Sequence, residues 1–210
     1  MEILYYIIIL IFSVMVHEVS HGAIALKFGD TTAKDAGRLT LNPIKHIDPF
    51  GSIILPLLMI LPSVLSGRPI GPIFGWAKPV PVNPYNLKNP KKEYGLVGLA
   101  GPLSNFLLAL IFALIFRLSS VIGINSTPLL NSFLLIVMVN IGLAVFNLIP
   151  IPPLDGSSIL FSFLRDDSPL KLFLSRYGFI ILLVLIFSNS INFISLIISI
   201  LFSLFTGLKM

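Results

Sequence analysis

Five apolar stretches dictate what this chain can fold into. They run from Ile3 to about Leu26, from Phe50 to Gly67, from about Tyr94 to Leu118, from about Pro128 to Ile149 and from about Tyr177 to Phe205. A hydrocarbon layer about 30 Å thick takes roughly 20 apolar residues to cross as a helix, and four of the five reach that length. At that depth the backbone must satisfy its own hydrogen bonds, which makes the helix the spanning element. Of the 210 residues, 56% are hydrophobic and 11% charged, where a soluble domain carries about 25% charged residues. The expected fold is an all-α polytopic membrane protein, a bundle of transmembrane helices. Met1-Glu2 lacks a basic n-region, so no cleavable signal peptide is expected.

The second stretch is shorter and carries Pro56 and Pro62. The last is interrupted by "SNSIN" at 188–192, which permits either one long helix or a broken pair. Between the first and third stretches lie "GRLTLNPIKHIDP" (37–49) and "GWAKPVPVNPYNLKNPKK" (75–92). Their Pro, Gly, Asn and β-branched residues predict short membrane-associated strands and turns. Trp76 suits an interfacial anchor.

Charge bears on whether the second stretch crosses. If it is re-entrant and the last stretch crosses once, twelve of the fourteen Lys and Arg residues fall on one side, with Arg117 and Lys209 opposite. If it crosses, they divide eight to six. The positive-inside rule favours the first arrangement: a re-entrant 50–67 segment, an outside N-terminus and a cytoplasmic 27–93 region. The same rule explains the net charge of +5 without nucleic acid as a partner. The chain has no cysteine, which excludes disulfides, thiolate metal sites and cysteine nucleophiles.

Within the first stretch stands "SVMVHEVSHGAIAL" (13–26). An ionisable residue inside a membrane helix costs at least a few kcal/mol and usually marks function. His17 and His21 are spaced i, i+4, so both imidazoles project from one helical face. With Glu18 they form H-E-x-x-H, two metal ligands and a general base. Catalytic zinc takes three protein ligands and keeps one position open. His46 in "KHIDP", Asp155 in "NLIPIPPLDG", Glu93, Asp166 and Asp167 are the candidates for the third. Asp155 follows the fourth apolar stretch on the same side as His21, among prolines that suit irregular backbone around a polar cavity.

The set "HEVSH" (17–21), "GRLTLNP" (37–43), "AKPVPVNP" (77–84), "AGPLSN" (100–105) and "FNLIPIPPLDG" (146–156) resembles the site-2 protease family of intramembrane zinc metalloproteases. The likeness is to the compact bacterial branch without PDZ or CBS modules, and covers most of 13–156. It implies one Zn2+ per chain held by His17, His21 and Asp155, with Glu18 as the catalytic glutamate and Asn147 at the family's asparagine position. It implies a single membrane-embedded domain over 1–210, with accessory helices in 157–210. The implied activity is cleavage of transmembrane segments of membrane-protein substrates, in the cell membrane and nearer its cytoplasmic face, with lipid as the other partner. A zinc-binding transporter or an inactive client-binding relative are the alternatives. A transporter would place polar residues on several helices through the full depth, and an inactive relative would lose Glu18 or a ligand.

Asn140 and Asn147 are seven apart, on one face of their helix. Asn147 suits an oxyanion donor; Asn140 and Asn105 suit helix–helix hydrogen bonding near the site. Gly101 and Pro102 read as packing residues. The run Lys78, Pro79, Val80, Pro81, Val82, Asn83 is expected to be an edge strand that accepts an unwound substrate by β-addition.

Overall fold

The structure is a computed structural model that describes residues 2–66, 77–121, 123–188 and 192–208. Trp76, Arg68 and Lys209 lie outside the described residues, as do positions 189–191 of the "SNSIN" break.

The described residues are helical, in the order α1 (Glu2–Lys27), α2 (Thr32–Asp35), α3 (Leu55–Ser66), α4 (Pro90–Leu118), α5 (Thr127–Asn147), α6 (Asp155–Phe163), α7 (Pro169–Phe187) and α8 (Asn192–Thr206). By length and composition four helices suffice to cross a membrane: α1 from Tyr5, α4, α5 and α7. The 12-residue α3, about 18 Å at 1.5 Å per residue, continues directly from the six-residue π-helical segment Pro49–Ile54. Glycine ends α1: Gly29 has φ +107°, and the amide of Asp30 returns to the carbonyl of Ala25 at 3.0 Å.

No strand forms among the described residues, which corrects the β expectation for 37–49 and 77–92. A ladder needs amide donors along one edge. Pro79, Pro81 and Pro84 have none, and the donors of Lys78, Val80 and Asn83 go to the carbonyl of His46 and to the carboxylates of Glu18 and Asp30. The segment 77–83 is irregular and is paired through side chains and loops. Two of the three Asn-Pro pairs open 3-10 turns, where the Asn42 and Asn83 side chains accept from the amides of Ile44 and Tyr85 at 3.1 Å; the third, Asn89-Pro90, opens α4.

The bundle is built on α4, which packs against α1, α5, α6 and α8. Gly95, Gly98 and Gly101 recur every three residues along it. Cβ atoms at Gly95 and Gly98 would sit 2.6 Å and 2.9 Å from the Cβ atoms of Ser162 and Ser158, so the missing side chains let α6 lie close against α4. Further along, Ala109, Ala113, Val137, Ile141, Val145 and Phe202 form the buried apolar cluster.

The last apolar stretch is a broken pair whose members run in series. Gly178 of α7 lies against Pro152, just beyond α5. Leu182 and Ile186 then share an apolar cavity of about 510 Å³ with Phe146 of α5 and with Phe193 and Ile197 of α8. Helix α8 continues along the apolar cluster to Leu204, whose carbonyl accepts from Arg117 Nη2 at the far end of α4 at 2.7 Å.

Candidate metal centre

Helices α1, α4 and α6 bring three ligating atoms together. The Nε2 atoms of His17 and His21 are 3.0 Å apart, and Asp155 Oδ2 lies 3.0 Å from the first and 3.4 Å from the second. These form the one group of this kind among the described residues. His46 is elsewhere: it is buried and its Nε2 bonds the carbonyl of Thr40 at 2.8 Å. Asp166 and Asp167 are exposed and pair with Lys171 and Arg165.

The hydrogen bonds fix the imidazole tautomers. His21 Nδ1 lies 2.7 Å from the carbonyl of Val97, which can only accept, so Nδ1 carries the proton. His17 Nδ1 lies 2.6 Å from Asn105 Oδ1. The Asn105 amide nitrogen is spent on Asn140 Oδ1 at 2.8 Å and on the carbonyl of Ser13 at 3.3 Å. Both Nε2 lone pairs therefore face a carboxylate oxygen that is buried without a hydrogen-bond partner. Three acceptors converge with no donor among them, an arrangement satisfied by a cation. Tetrahedral zinc with bonds of 2.0–2.1 Å sets its ligands about 3.3 Å apart, and the observed spacings match. Two histidines and a carboxylate are a catalytic zinc set, so Zn2+ is the ion these donors fit.

Two glycines make room. A Cβ at Gly101 would lie 2.6 Å from His17 Nε2 and closer still to His21 Nε2. Gly156 lets the chain fold back beneath α5, since a Cβ there would meet the carbonyl of Ile149 at 2.5 Å and that of Leu148 within contact distance. Asp155 thus opens α6 directly below the histidines.

Glu18 is half-buried beside the cluster, and its Oε2 accepts from the amide of Val80 at 2.8 Å. Asn105 and Asn140 are fully buried, and Asn140 Nδ2 donates to Ser13 Oγ at 2.9 Å. The chain His17–Asn105–Asn140–Ser13 thus ties α1, α4 and α5 together. Asn147 is not drawn into it: its Nδ2 donates to Leu143 of its own helix at 3.0 Å. Sequence reasoning missed Ser13, the Val97 carbonyl and Asp30. Asp30 is fully buried and bonds the Asn83 amide at 2.7 Å and the Asn86 side chain at 2.9 Å. Only a carboxylate directly after the helix-ending glycine could have drawn attention to it.

Fold and site together define a membrane-embedded protein with a two-histidine, one-carboxylate metal centre between helices. The profile of peptidase family M50 matches residues 117–188, which include Asn140, Asn147 and Asp155. "Putative zinc metalloprotease YwhC" of Bacillus subtilis is 42% identical over 187 residues, covering 86% of this chain and 79% of the relative. "Putative zinc metalloprotease Rip2" of Mycolicibacterium smegmatis is 28% identical over 184 residues, 86% of this chain and 65% of that protein. "Zinc metalloprotease MJ0392" of Methanocaldococcus jannaschii is 38% identical over 73 residues, 35% of this chain and 20% of the relative. No solved structure matches with statistical significance. The chain belongs to peptidase family M50, the site-2 protease family.

Proposed function

We propose that this chain is an intramembrane zinc endopeptidase that cleaves transmembrane segments of membrane-protein substrates. The observation that carries this reading is the convergence of His17 Nε2, His21 Nε2 and Asp155 Oδ2 with Glu18 on the adjoining turn of α1. His17 lies ten residues before Lys27, about 15 Å along an apolar helix, so the site sits inside the bilayer.

Zinc held by these three residues supplies Lewis acidity, polarising the scissile carbonyl and acidifying water. Glu18 takes the proton of the attacking water and passes it to the leaving amine. Asn147 has a second amide proton beyond the one given to Leu143 and offers it to the developing oxyanion. The substrate must first unwind, because a helix hides its carbonyls in internal hydrogen bonds; residues 78–83 offer a surface for it beside the site, where Val80 meets Glu18. The domain is the whole of 1–210, with the chemistry in 13–156 and 157–210 as accessory helices. Twelve of fourteen basic residues lie on one side if 50–67 is re-entrant and the last stretch crosses once, and α7 and α8 lying in series supports the single last crossing. The protein is then a multi-pass protein of the cell membrane whose site is nearer the cytoplasm.

The test is cleavage of a model transmembrane substrate in detergent by wild type and Glu18→Gln, with zinc measured on the same samples. Glu18→Gln should keep its zinc and lose about 10²–10⁴ in rate. Wild-type cleavage by this variant removes the protease mechanism.

A further inference from the structure

The general base of the proposed reaction is bound by a part of the chain that carries no other catalytic group. Glu18 lies on α1, and its Oε2 is held by the amide of Val80 from the segment 77–83 at 2.8 Å. Val80 is itself fixed. It is buried, and a Cβ on Gly22 would meet its Cγ1 at 2.8 Å. Gly22 stands one turn beyond Glu18 on the same face of α1, so Val80 sits over a gap in the helix surface while its amide reaches back one turn. The segment is tied on both sides of Val80. The amide of Lys78 bonds the carbonyl of His46 at 2.8 Å, and that of Asn83 bonds buried Asp30 at 2.7 Å. Pro79 and Pro81 flank Val80, so its N–H is the donor at the centre of this stretch.

Resting on the protease reading above, we propose that the Val80 backbone N–H is the positioning donor for Glu18. The docked segment 77–83 thereby completes the active site from outside helix α1. One carboxylate oxygen is anchored and the other, Oε1, remains for the proton. The side chain is held in one rotamer without a second charged group near the metal ligands. The bond also assigns the Val80 N–H to Glu18 rather than to a substrate strand, so its loss acts on turnover more than on substrate affinity.

Proline at position 80 tests this directly. Val80 precedes Pro81, which disfavours helical backbone there, and proline is tolerated in such non-helical segments, so Val80→Pro removes the N–H without breaking a helix. Val80→Ala keeps the N–H and loses packing over Gly22. In the full-length protein, Val80→Pro is expected to keep stoichiometric zinc and a KM within about 3-fold, and to lose about 10- to 100-fold in kcat, the scale of a reacting group misplaced by about 1 Å. Val80→Ala is expected to lose about 2- to 3-fold in kcat. Equal kcat values for the two variants overturn the proposal.

A second measurement is independent of turnover and decides the matter if Val80→Pro does not fold. Residues 79–82 contain two amides, those of Val80 and Val82, because Pro79 and Pro81 have none. Hydrogen exchange in this stretch should speed up at least about tenfold in Glu18→Ala relative to wild type, with exchange in α5 unchanged. Unaltered protection overturns the proposal. The two readings fail separately: a fully active Glu18→Gln removes the protease mechanism, whereas an inactive Glu18→Gln beside a fully active Val80→Pro removes only the positioning role.

Discussion

On the face of the α4–α5 pair turned to α1, Asn105 and Asn140 meet His17 and Ser13 in a hydrogen-bonded chain. On another face of the same two helices, Ala109, Ala113, Val137 and Ile141 meet Phe202 in an apolar cluster. Both faces are buried, yet they are held by different physics. Lipid is as apolar as a leucine side chain, so the apolar face is held by close packing of small against large residues. The polar region directs the Asn105 and Asn140 side chains onto defined partners, and what it secures is the orientation of one imidazole. The contrast separates residues that hold the bundle from residues that aim the site.

The largest effect that would break this division is at the ligands. His21→Ala and Asp155→Ala should each lose the stoichiometric zinc of the wild type on metal analysis, with the helices still formed by circular dichroism. Full zinc retention in both would detach the cluster from metal binding altogether. Next comes Asn105→Leu, which leaves the His17 Nδ1 proton and the Asn140 carbonyl without their partner. Zinc affinity, measured by chelator competition, should fall about 10- to 100-fold, as for other residues that orient metal ligands.

Ile141→Ala sharpens the comparison from the apolar face. Ile141 is fully buried, and its truncation should cost about 2–5 kcal/mol of stability with zinc affinity unchanged. If it depletes zinc as Asn105→Leu does, the two faces are not separable. The smallest effect concerns Asp30. Burial alone would raise its carboxyl, but donors from Thr32, Asn86 and Asn83 hold it below the usual carboxylate range. Its stabilisation is then fully present above the unfolded value of about 3.9 and is lost as pH falls through the lowered folded value. The melting temperature of wild type should exceed that of Asp30→Asn by about 2–4 °C near neutral pH, and the gap should close only under more acidic conditions.

The sequence by itself determined the membrane bundle, because apolar stretches of that length have no other way to satisfy their backbone. It also determined that His17 and His21 share a face, since i, i+4 spacing on a helix is a local matter. Asp155 was favoured by position, but its meeting with the histidines depends on contacts across more than 130 residues, made possible by the close approaches at Gly101 and Gly156. The segment 77–83 was misread as a strand because β-branched residues and prolines describe extended backbone and say nothing of what receives its amides. Those went to His46, Glu18 and Asp30. Likewise the seven-residue spacing places Asn140 and Asn147 on one face, yet only Asn140 reaches across to Ser13, while Asn147 Nδ2 bonds its own helix. Periodicity places side chains on a face. Only tertiary packing decides which partners stand opposite, because hydrogen-bond geometry depends on distances that no local repeat encodes.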